Sequence, residues 1–70
     1  MERELAEHIN NMMLGYSAEL NRSVAMVREK CDKEEVETYL KPVSHIMALS
    51  FDVLDIVYKD HPDLKPDKFK

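Results

Sequence analysis

One cysteine, one glycine and no tryptophan are found among 70 residues. Each scarcity excludes something. A lone Cys31 cannot close an internal disulfide, so no disulfide framework holds this chain together and a reducing compartment suits it. Gly15 is the single glycine, and two of the three prolines, Pro62 and Pro66, lie in the C-terminal tail. The body therefore lacks the turn residues that several strands would need. Positive charge is also short. Ten Lys and Arg against fourteen Asp and Glu leave a net charge of −4, which argues against nucleic acid as a partner.

A signal peptide needs an apolar core where this chain has the charged stretch "MERELAEHIN". The longest mainly apolar run, "SHIMALSFDVLDIVY", is interrupted by His45, Asp52 and Asp55. It is also shorter than the ~20 residues a membrane helix requires. We expect a soluble, cytoplasmic chain without membrane contact, and from its Met1 start a complete small gene product. No Gly-rich phosphate loop, Cys/His cluster or defensible Ser–His–Asp spacing is present in the sequence. No catalytic residue, metal ligand or cofactor is expected.

What the chain does have is helical periodicity. Hydrophobic residues make up 44%, enough for a folded domain, and 70 residues allow only one. From about residue 3 to 30, Leu5, Ile9, Met12, Tyr16, Leu20, Val27 and Cys31 recur on one helical face, with Met13, Val24 and Met26 at its edges. The tract "CDKEE" interrupts the pattern. Asp32 is a good N-cap and Glu35 stands where a capping box places its acid. From about 33 to 59, Val36, Tyr39, Leu40, Val43, Met47, Ser50, Leu54 and Val57 share a second face. Pro42 falls inside that run, and its ring conflicts with the carbonyl of Thr38. The apolar register crosses Pro42 unshifted, so a kinked helix is expected rather than two short ones. Residues 61–70 are expected to be an extended tail, with Leu64 or Phe69 docking back.

The expected fold is all-α: an antiparallel two-helix hairpin over residues 1–60 with a tight turn at 31–33. This registers Val27 against Val36, Leu20 against Val43, Tyr16 against Met47 and Ile9 against Leu54. Such a hairpin is short of buried surface, since two helices meet along one seam only. The second helix also has more apolar residues than one neighbour can cover. Ile46 and Val53 lie at one edge of its main face, Phe51 and Tyr58 at the other, and Leu49 and Ile56 form a ridge further round. Gly15, Ala18 and Ala25 make a shallow strip on the first helix. We expect these nine residues to be an interface through which two hairpins pair as a homodimeric four-helix bundle.

Isolated polar residues carry less. Glu-x-x-His pairs are absent, and His8, His45 and His61 lack convergent partners. Cys31 at a helix C-terminus is poorly placed for thiolate chemistry. Glu19 is expected to pair with Arg22 or Ser23. Asn10, Asn11, Asn21 and Arg22 include too few basic residues to make that face of the first helix a nucleic-acid surface. The functional expectation is a small, non-enzymatic homodimer acting as a protein–protein interaction or regulatory adaptor module with an unidentified protein partner. Alternatives are a nucleic-acid-associated regulator on the same bundle, or a metal or small-ligand site at the dimer interface involving His45 or Glu19.

Overall fold

The computed structural model describes residues 1–66. Two helices, α1 (Arg3–Lys30) and α2 (Lys33–Asp60), pack against each other, and a short 3-10 helix at Pro62–Leu64 follows. Among the described residues there is no strand. The chain is therefore the helical hairpin that the periodicity implies. Phe69, expected to dock back, lies outside the described residues.

The turn is two residues long because both helix ends are capped at once. The Cys31 N–H donates to the Val27 carbonyl at 2.9 Å and closes α1. Asp32 then adopts extended backbone, and its Oδ1 accepts from the Glu35 N–H at 2.9 Å. Glu34 and Glu35 occupy the positive end of α2, and Arg28 and Lys30 the negative end of α1. Pro42 lies within α2, which continues as one helix to Asp60.

On α2 the buried row is Val43, Ser50, Leu54 and Val57, all members of the expected face. On α1 the seam is displaced by one residue over its first half. Ala6 and Asn10 are buried and Ser17 meets α2, where Leu5, Ile9 and Tyr16 were expected. Leu5, Met12 and Tyr16 are 51%, 40% and 57% exposed, so these large side chains flank the seam instead of filling it. Small side chains at Ala6, Ser17 and Ser50 permit close helix approach.

Polar pairs fix the register along this seam. Tyr58 Oη donates to Asn10 Oδ1 at 2.6 Å. Ser50 Oγ donates to the Met47 carbonyl and shares a 3.4 Å hydrogen bond with Ser17 Oγ. Nearer the turn, Ser23 Oγ donates to the Leu20 carbonyl and lies 2.6 Å from Tyr39 Oη. Among the described residues, no buried side-chain polar atom lacks a partner.

The open end of the hairpin is closed by charge. The Met1 ammonium is 3.0 Å from Asp60 Oδ2, and Arg3 reaches Asp63 at 2.7 Å. His61 Nε2 is 2.8 Å from the Met1 carbonyl oxygen. Residues 62–64, part of the tail expected to be extended, form instead the 3-10 helix, favoured by Pro62 at its first position.

Candidate functional site

The nine residues expected to form one interface separate onto different surfaces. Ile46, Leu49 and Val53 of α2 line an open groove with Met13, Tyr16 and Leu20 of α1. Its volume is about 340 Å³ and its lining is almost wholly apolar, Ser50 at the floor being the polar exception. Ile46, Leu49 and Tyr16 are each half or more exposed, and Ile56, 60% exposed, extends the ridge. Tyr16 thus becomes part of the site through the same displacement that removes it from the seam. This groove face is the candidate functional surface.

Phe51 and Tyr58 belong to the opposite side of the hairpin. With Leu54, Asp55 and Lys65 they border a second cavity of about 300 Å³. Ala18 lies on that side too, in a cavity of about 480 Å³ with Leu14, Met47, Phe51 and Pro66 among its walls. Gly15 and Ala25 are exposed on α1 and line neither groove. A Cβ built at Gly15 meets no heavy atom within 4 Å.

A larger cavity of about 570 Å³ lies beside the turn, bordered by Cys31, Glu35, Tyr39 and Pro42. It has little chemistry to offer. Burial pushes the Cys31 thiol up, and the charges of Glu35 and Asp32 add to the effect. A thiol held in that direction is a poor nucleophile and a poor metal ligand. Asp32 already spends a carboxylate oxygen on capping α2.

The remaining polar candidates are accounted for. Glu19 is exposed and pairs with Arg22, while Ser23 is engaged by Leu20 and Tyr39. Asn10 is buried and bonded to Tyr58, so it is withdrawn from the polar surface once grouped with Asn11, Asn21 and Arg22. Among the described residues, no three His, Cys, Asp or Glu converge to hold a metal ion. No helix among them is long and apolar enough to cross a membrane.

Asn10, Ser17 and Ser23 are structurally important residues of α1 that hydropathy alone does not flag, because they score as solvent-facing, whereas Ser50 of α2 falls on the expected face by its spacing. The available signal was spacing: Asn10, Ser17 and Val24 continue a seven-residue repeat beside the larger apolar one.

No family model, curated protein or solved structure matches the chain.

Proposed function

We propose that the chain is a homodimeric binding module, in which two hairpins pair through the Tyr16–Leu49–Val53 face as a four-helix bundle. The exposed area carries the proposal. The hairpin exposes 5322 Å². A globular monomer of 8.2 kDa exposes roughly 4,500 Å² by the usual scaling. The excess, about 800 Å², is close to what each partner contributes to an interface of standard size. Elongation accounts for the excess: the radius of gyration is 14.4 Å, against about 11 Å for a compact chain of this length. A second copy laid along the groove restores both quantities toward globular values.

The groove lining supports pairing by apolar contact, since charged groups are absent from its walls. The proposed bundle includes a bend in α2 at Pro42, where the ladder loses one N–H and the Thr38 carbonyl is released. The paired module acts by binding another protein, as an interaction or regulatory adaptor without chemistry or cofactor of its own. Its cytoplasmic placement is part of the same proposal and rests on the unpaired Cys31.

The test is sedimentation equilibrium with far-UV circular dichroism over one dilution series. A dimer that loses helix as it dissociates is the expected result. A fully helical monomer throughout would overturn the proposal.

A further inference from the structure

The hairpin has a groove on each side, and along one of them the chain's own C-terminal segment forms part of the wall. Beyond α2 the chain reverses beside the second groove. Lys65 borders the cavity formed by Phe51, Leu54 and Tyr58. Pro66 walls the next cavity, whose other sides include Leu14, Ala18 and Met47. Leu64, Lys65 and Pro66 are all half-buried. The segment is anchored at its start by the Asp63–Arg3 ion pair and by His61 Nε2 on the Met1 carbonyl oxygen. Its own backbone is closed by Leu64 N–H to the His61 carbonyl and Lys65 N–H to the Pro62 carbonyl, at 3.0 and 3.2 Å.

We propose that residues 61–66 are an intramolecular strap that occupies the second groove and so limits association to the open face. A bundle of helices with two adhesive faces assembles without closure, each copy adding to the next. With one face covered by its own chain, assembly stops when two open faces meet. The prolines suit the task, because Pro62 and Pro66 restrict the backbone and reduce the entropy lost on docking. Neither proline offers an N–H for continued pairing. The limit to two copies rests on the function proposed for the open face. The occupancy of the second groove does not.

Two measurements test the strap. The first uses the unmodified chain. Amide hydrogen exchange of Leu64 and Lys65 should be at least tenfold slower than in a free peptide, since an undocked single 3-10 turn gives little protection. Exchange at the free-peptide rate would overturn the strap. The second uses the full chain carrying Leu64→Asp and Pro66→Asp, which makes the strap too polar for the groove. Sedimentation should show species larger than those of the unmodified chain at equal concentration, with helix content retained. A helical variant that stops at the same size would overturn the limit on assembly. If the variant loses its helices, hydrogen exchange decides. Failure of the open-face dimer is separately visible as an unmodified chain that is monomeric. In that case a variant that dimerises would retain the strap and discard only the open-face reading.

Discussion

An asparagine 6% exposed in a two-helix seam destabilises the fold unless its amide is bonded, and Tyr58 supplies the bond to Oδ1. Tyr58→Phe leaves that oxygen buried without its donor. The expected loss is about 1–3 kcal/mol in urea unfolding. Replacing both partners with apolar residues, as Asn10→Leu with Tyr58→Phe, should recover most of it, because neither orphan remains. The same contact sets an alkaline limit. Burial pushes the Tyr58 phenol up, with the Asp55 charge adding to it. A phenol whose folded pKa lies above its unfolded value of about 10 contributes stability that is fully present below that value. The contribution is lost as pH rises through the folded pKa. The melting temperature should therefore fall above about pH 10, and fall less in Tyr58→Phe. Gly15 gives a contrasting residue-scale outcome. Its Cβ position is open, so Gly15→Ala should raise monomer stability by about 1 kcal/mol. A lower melting temperature would place Gly15 against another helix.

At the scale of elements, the ends of the hairpin respond to acid. The Met1 ammonium hydrogen-bonds Asp60 and holds its carboxyl below the usual carboxylate range, and the Arg3 guanidinium does the same to Asp63. Carboxyls lowered on folding bind fewer protons in the folded state. Their stabilisation is complete above the unfolded pKa of about 3.9 and drains away as pH falls through the folded values. These groups are exposed and screened, so the loss is local: fraying of the α1 start and the α2 end is expected below about pH 4. Amide exchange at Ala6 and His61, read against pH, checks this. Uniform protection down to pH 2 would remove these ion pairs from the account. The two helices were unequally legible in the sequence. The buried row of α2 is Val43, Leu54 and Val57 with Ser50 between them, and large apolar side chains mark it clearly. The buried row of α1 begins with Ala6 and Asn10, which carry almost no hydropathy signal. Leu5, Met12 and Tyr16, one position away, dominate the periodicity and drew the expected seam toward themselves. Hydropathy locates where large apolar groups are. It does not say whether a seam is built from them or from small and hydrogen-bonded residues that permit closer approach.

For the whole molecule, surplus apolar surface was legible in α2, but its division between two grooves was not. That division depends on the axial rotation of α1, which brings Tyr16 beside Leu49 and leaves Ala25 outside either groove. It also depends on the path of residues 61–66, for which periodicity gives no signal in so short a segment. The division makes the proposed dimer testable by position. Leu49→Asp places a charge on the open face, where Leu49 is 59% exposed in the hairpin. Twofold pairing repeats each interfacial change in both copies. Loss of the remaining leucine burial at about 25 cal/mol per Å², together with desolvation of two carboxylates, should weaken dimerisation at least tenfold. Ala25→Glu introduces charge of the same sign on α1, away from the groove, with little helix-propensity penalty. It should leave the dimer constant unchanged if pairing uses the groove, and weaken it if pairing uses the Gly15–Ala18–Ala25 strip. Sedimentation of the two variants beside the parent chain separates these geometries. Equal weakening by both would require a broader interface than the groove face, and weakening by Ala25→Glu alone would move the partner onto α1.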